Sequence, residues 1–101
     1  MSAETPISRL VAAADRATLS DRPTPEQIAD LDLRATQAMV WLTGWAAAPR
    51  SQPAGFLFMS LVGAAENYLE DRTEANAKLL GLVCRAAHRV DHMVGKGELT
   101  P

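Results

Sequence analysis

The fold is decided by residues 24–48, which read TPEQIADLDLRATQAMVWLTGWAAA. Thr24 and Gln27 have the spacing of a helix capping box, in which each side chain pairs with a free backbone amide of the other residue. Pro25 suits the first helical turn, because it has no amide hydrogen to leave unpaired there. The sequence therefore predicts a long helix that begins at Pro25 and ends near Ala48, before the next proline.

This second helix carries two apolar faces. The first is an arc of about 120°, typical of the core side of an amphipathic helix, and it holds Ile28, Leu31, Ala35, Ala38, Met39, Leu42, Trp45 and Ala46. On nearly the opposite side, Leu33, Val40 and Ala47 recur every seven residues. Trp41 lies at one flank, where it either joins this second face or covers the first helix. Because a small bundle has one core, we predict that these four residues form a partner interface.

Prolines also mark the starts of two other helices. Thr5 is a suitable N-cap for a short first helix that begins at Pro6 and ends before a linker at residues 20–24. Pro53 begins a third helix, which we predict to end near Glu70. The short connection before Pro53 indicates that the second and third helices are antiparallel neighbours.

The boundary between the third and fourth helices has two possible forms. No glycine or proline occurs within residues 65–79, so one continuous helix of about 40 residues would extend about 60 Å and require a partner. However, the apolar pattern changes phase, and Asp71 with Glu74, or Thr73 with Asn76, offers a new helix cap. We favour a turn at this place.

The fourth helix is predicted to run to Val94, with its core arc formed by Leu79, Leu80, Val83, Ala86, Ala87, Val90, Met93 and Val94. No stretch alternates with the period of two that is typical of strands. The chain is 48% hydrophobic and 22% charged, values of a folded globular domain. We therefore predict an all-α, compact four-helix bundle with one short N-terminal helix and three longer ones. It forms a single domain over residues 1–101, with short flexible termini at 1–4 and 96–101.

Charge and cysteine content restrict the cellular setting. The formal net charge of −2 gives no overall positive field to attract nucleic acid or anionic lipid. Cys84 is the only cysteine, which excludes an intramolecular disulfide and fits a reducing compartment. The first residues lack the basic and apolar regions of a signal peptide, and the longest apolar runs are shorter than the roughly 20 residues of a membrane span. We expect a cytoplasmic protein without membrane contact.

Cys84, His88 and His92 lie one turn apart along one flank of the fourth helix. Thiolate and imidazole groups bind zinc, and histidines four residues apart on a helix can share one ion. The segment lacks the glutamate of the HExxH zinc-protease motif, and two neighbouring arginines would repel a cation. We therefore expect no cofactor, and we keep a metal- or small-ligand-binding bundle as the alternative function.

Lys78, Arg85 and Arg89 belong to a basic stripe on the polar side of the fourth helix. Sequence-specific binding of nucleic acid also needs side chains that read or stack on bases, and none is interleaved here. The stripe either contacts an acidic protein surface or simply keeps this side of the helix solvated.

Catalytic signatures are missing from the sequence. The carboxylates fall at helix starts or on polar arcs, and no glycine-rich loop has the spacing that cradles a phosphate. We therefore expect no enzyme, but a protein-protein interaction or regulatory module that docks through a helix face. Such a module is either a homodimer or an adaptor or inhibitor of a larger partner protein.

Overall fold

A computed structural model describes residues 5–19, 22–46 and 52–95, with side chains over 5–19, 22–43 and 55–92. This part of the chain contains four helices and no strand, in the order α1 (Pro6–Thr18), α2 (Pro25–Ala46), α3 (Gln52–Glu70) and α4 (Glu74–Gly95). The predicted all-α four-helix fold with a short first helix is confirmed. The predicted flexible termini lie outside the described residues.

The first two helices begin at the predicted caps. In α1, the backbone amide of Ser8 donates to Thr5 Oγ1 at 3.1 Å, and the Thr5 amide donates to Ser8 Oγ at 3.0 Å. In α2, the Gln27 amide donates to Thr24 Oγ1 at 3.1 Å, and the Thr24 amide donates to Gln27 Oε1 at 2.9 Å. Both pairs satisfy amides that have no acceptor within their own helix.

A turn at residues 71–73 separates α3 from α4. The Asn76 amide donates to Thr73 Oγ1 at 3.1 Å, which caps the start of α4. The Asn76 side chain donates to the Asp71 carbonyl at 2.7 Å and to the Asn67 carbonyl at 3.4 Å. Hydrogen bonds of Asn76 thus satisfy backbone carbonyls at the end of α3 and cap the start of α4. The chain therefore turns here, and one continuous helix is excluded.

The four helices close into a ring. Each helix packs against its neighbours in sequence, and α1 also packs against α4. Arg16, near the end of α1, pairs with Asp30, near the start of α2, at 3.0 Å. Thr5, at the start of α1, bonds to Asp91, near the end of α4. Therefore α1 runs antiparallel to both neighbours, and the α2–α3 and α1–α4 junctions lie on opposite sides of the bundle.

Aliphatic and aromatic side chains from all four helices fill the core, and the largest fully buried ones are Phe58, Ile7, Leu10, Leu31, Leu42, Leu61, Leu80, Val62 and Cys84. The predicted core arc of α4 is wrong at Leu79 and Ala86, which are exposed. The buried line of α4 runs instead through Leu80, Ala87 and Asp91. Packing against both α1 and α3 centres this line on Cys84, so the predicted position of Cys84 on a flank is wrong. The side chains of Met93 and Val94 lie outside the described residues.

Candidate protein interaction site

The reverse face of α2 is exposed to solvent. Leu33 is 51% exposed and Val40 is 68% exposed, on the side of α2 that points away from the core. The side chain of Ala47, the third predicted member of this stripe, lies outside the described residues. Neither of the two described side chains gains much hydrophobic stabilisation within the bundle, because that term scales with the apolar area removed from water.

Trp41 turns toward the core beside this face. It is partly buried, and its ring centroid lies 6.1 Å from that of Phe58 on α3, with the two rings tilted by 42°. Aromatic pairs at this separation stabilise a fold by more than the burial of their surface area alone. Trp41 therefore stabilises the packing of α2 against α3. Its contact with Phe58 also shows which turns of the two antiparallel helices lie side by side.

The junction of α2 and α3 forms a shallow groove at one end of the bundle. Ala29 of α2 and Glu70 of α3 are among the residues that line it. Val40 follows Ala29 by eleven residues, and Met59 precedes Glu70 by eleven. Eleven residues make about three helical turns with an offset of about 20°. Val40 therefore lies on the same side of α2 as Ala29, and Met59 lies on the same side of α3 as Glu70. The two residues extend the two walls of this groove. They lie at the level where Trp41 contacts Phe58.

Four exposed residues thus form what we call the apolar face: Leu33 and Val40 from α2, and Phe56 and Met59 from α3. Phe56 is 62% exposed and stands one turn before Met59. The spacing of apolar residues within α3 does not by itself join Phe56 and Met59 to the α2 stripe. The signal that joins them is the antiparallel register, which follows from the short connection between the two helices.

The centre of the apolar face is uncharged. No acidic or basic residue occurs within residues 36–43 of α2 or 56–63 of α3. Gly63 ends the second segment one turn after Met59, and a Cβ atom built on Gly63 would meet nothing within 4 Å. The fold itself therefore does not require a glycine at this position.

A second surface lies on the opposite side, at the junction of α1 and α4. It is a groove of about 680 Å³ lined by Ser8, Val11, Ala12 and Asp15 of α1 and by Cys84, Arg85, His88, Arg89 and His92 of α4. A neighbouring depression shares Asp15 and Arg85 with it and adds Lys78, Gly81 and Leu82. We call the two together the basic groove. The structure thus brings the predicted basic residues Lys78, Arg85 and Arg89 into one surface with Cys84, His88 and His92.

The burial of Cys84 weighs against a role as a metal ligand. Cys84 is buried, and this burial, helped by the nearby Asp15 carboxylate, raises the pKa of its thiol to about 12. A thiol that keeps its proton is a poor metal ligand, because the thiolate is the form that coordinates. Within the described residues, no three His, Cys, Asp or Glu side chains are grouped to hold an ion.

A buried hydrogen bond joins α4 to the start of α1, and the sequence did not predict it. Asp91 is buried, and its Oδ1 accepts a 2.6 Å hydrogen bond from Thr5 Oγ1, which also caps α1. A carboxylate at a helix N-terminus interacts favourably with the helix dipole. Asp91 falls seven residues after Cys84 on the buried line of α4, but no spacing in the sequence links it to Thr5.

The bundle therefore carries two candidate surfaces on opposite sides, one apolar and one basic. Comparisons with protein-family models, with curated proteins and with solved structures find no match for this chain. Across the part of the chain that is described, no helix is long and apolar enough to cross a bilayer. The function is therefore inferred from the two surfaces themselves.

Proposed function

We propose that the chain is a non-enzymatic interaction module that pairs with a second copy of itself through the apolar face. The observation that carries this proposal is the exposure of Val40 and Leu33 on the side of α2 that the bundle leaves uncovered. Phe56 and Met59 extend the same surface onto α3. Several exposed apolar residues grouped on one side of a small domain are typical of protein interfaces.

The chemistry of the face favours a second copy over a charged partner. Its centre has no charge, so two copies related by a two-fold axis would not repel each other there. Two-fold dimers are the commonest oligomers, and they bring the same patch of both subunits together. From the length of α2 and the width of two helices, we expect each subunit to bury roughly 600 Å². A total near 1,200 Å² is at the lower end of specific interfaces, so we expect moderate affinity.

Docking of a larger partner protein onto the same face is the heteromeric form of this proposal, with the chain as an adaptor or inhibitor. Arg85 and Arg89 do not adjoin this face, because they line the basic groove on the opposite side. We therefore assign them no part in docking at the apolar face. A cytoplasmic setting suits the single reduced Cys84.

The alternative function, a metal- or small-ligand-binding bundle, has weaker support. The buried, protonated thiol of Cys84 disfavours metal binding. The volume of the groove is in the range of small-molecule sites, but its basic lining favours an anionic occupant over a neutral one.

Sedimentation velocity across micromolar concentrations tests self-association. We expect the wild-type chain to shift from monomer to dimer as its concentration rises, and Val40→Asp to remain monomeric. A buried, unpaired carboxylate at the centre of the interface would weaken the dimer by at least tenfold. Val40 is exposed in the monomer, so its replacement should change the free energy of unfolding by no more than about 0.5 kcal/mol.

The matched control is Leu82→Asp, which places the same charge on an aliphatic position of α4 that is 59% exposed. Leu82 lies on the opposite side of the bundle, so this variant should dimerise like the wild type. A wild-type chain that stays monomeric throughout contradicts the homodimer. If the monomeric wild-type chain also captures a larger partner from native lysate, and Val40→Asp abolishes that capture, the heteromeric form replaces the homodimer.

A further inference from the structure

Three basic side chains, from a lysine, an arginine and a histidine, lie on one line along the basic groove. Lys78, Arg85 and His92 are spaced seven residues apart, and all three line the groove. Seven residues make about two turns with an offset of about 20°, so the three side chains stand about 10 Å apart along α4. The line is therefore about 20 Å long, the length of four helical turns.

The cations of this groove have few partners inside the molecule. Within the described residues, Arg85 and Arg89 form no ion pair, and Lys78 pairs only with Glu74 on its own exposed helix surface, at 3.0 Å. Asp15 is the one carboxylate among the described residues that line the groove. Like charges three and four residues apart on a helix repel each other. The surface therefore favours an occupant that supplies negative charge.

The floor of the basic groove is apolar. Val11, Ala12 and Cys84 form it at one end, and Gly81 and Leu82 continue it at the other. A Cβ atom built on Gly81 would meet nothing within 4 Å. Glycine in the middle of a helix lowers stability relative to alanine, and the fold gains no contact from it at Gly81. The open space above Gly81 can admit the backbone or a small side chain of an occupant.

We propose that the basic groove binds an acidic amphipathic helix of a different protein. Charge complementarity argues for this occupant: carboxylates seven residues apart on the bound helix would face Lys78, Arg85 and His92. Small or apolar residues between those carboxylates would rest on the floor at Ala12 and Gly81. A segment of about 15 residues covers the whole line. This site is independent of the apolar face and of the function proposed for it.

Selection from a displayed library of 16-residue peptides tests the proposal. We expect binders enriched in Glu and Asp at positions seven apart, with apolar residues between them. The best peptide, carrying a fluorescent label, then serves as the probe in polarisation titrations. We expect the double variant Lys78→Glu with Arg85→Glu to weaken its binding by at least about tenfold, because both contacts change from attraction to repulsion. Raising the salt concentration should weaken wild-type binding as well.

Two glycines of the chain provide a matched steric pair. Gly81→Trp should fill the groove floor and abolish binding of the probe peptide, whereas Gly63→Trp, one turn from Met59 of the apolar face, should leave its affinity within about twofold. Neither glycine has a neighbour within 4 Å of an added Cβ, so the first side-chain atom of each variant meets no steric clash in the fold. Thermal melting by circular dichroism confirms that each variant is folded. Asp15→Asn should tighten binding by removing the opposing carboxylate.

Several results would overturn the proposal. A library that yields no binders, or yields neutral or basic ones, contradicts the acidic helix. Binding that persists in folded Gly81→Trp places the peptide elsewhere. If decanoate, a single-chain carboxylate, displaces a reporter dye from the groove while acidic peptides fail, the occupant is a small amphiphile instead. Monomeric Val40→Asp should bind the probe peptide normally, so that failure at one surface is distinguished from failure at the other.

Discussion

The bond between Thr5 and Asp91 should be the strongest single polar contribution to the packing of α1. Thr5 Oγ1 accepts from the Ser8 amide and donates to the Asp91 carboxylate, so replacing Thr5 by Ala removes both interactions. Loss of an N-cap costs about 1 kcal/mol. Loss of a hydrogen bond to a charged acceptor costs about 2 kcal/mol more, because the buried carboxylate is left without that donor. We therefore expect Thr5→Ala to lower the free energy of unfolding by about 3 kcal/mol.

Urea denaturation followed by circular dichroism measures this change, and Thr24→Ala supplies the control. Thr24 caps α2 with the same local geometry as Thr5 caps α1, but the described hydrogen bond of its side chain goes to Gln27 alone. Thr24→Ala should therefore cost only about 1 kcal/mol. The difference of about 2 kcal/mol between the two variants isolates the contribution of Asp91.

A double-mutant cycle of Thr5→Ala with Asp91→Ala tests the same bond from its other end. We expect the double variant to be less destabilised than the sum of the two single variants by about 1.5 kcal/mol or more. If the two effects add to within about 0.5 kcal/mol, the hydrogen bond contributes nothing to stability, and the reasoning from its 2.6 Å length and burial is wrong.

Two further predictions concern α4. Leu80→Ala should lower the free energy of unfolding in urea by about 2–5 kcal/mol, because Leu80 is fully buried. Leu82→Ala, at an exposed position of the same helix, should change it by less than about 0.5 kcal/mol. Equal effects of the two substitutions would contradict the observed orientation of α4. Burial raises the pKa of the Cys84 thiol from 9.0 to about 12, so the folded state keeps this proton where the unfolded state loses it. The stability that this group contributes is complete below pH 9 and is lost as pH rises toward 12, and unfolding curves of Cys84→Ala should lack this part of the pH dependence. A wild-type chain whose stability falls no more steeply over that range than that of Cys84→Ala would refute the raised pKa.

Local signals predicted the helices well. Thr5, Thr24 and Thr73 each cap a helix start through hydrogen bonds within three residues, and such short-range chemistry is readable from the sequence alone. The turn before α4 was also predicted by its cap. However, Asn76 additionally closes the end of α3, which depends on the direction in which the two helices leave the turn.

Contacts between distant segments were harder to predict. The pattern of α4 counted Leu79 and Ala86 as core because they are apolar, but packing between α1 and α3 buries Cys84 and Asp91 instead. Asp91 lies 86 residues from Thr5, and no spacing rule links the two residues. Likewise, the sequence indicated the α2 part of the apolar face, whereas Phe56 joins it only through the register of α2 against α3.

The ring order of the helices gives the proposed dimer two outward binding sites. When α2 and α3 of both subunits meet at a two-fold axis, each α1–α4 junction faces away from that axis, on the far side of its own bundle. A target that displays two acidic helices, or two targets held close together, would then engage both grooves at once. The second binding event becomes intramolecular, so avidity would exceed the affinity of a single groove without any additional contact.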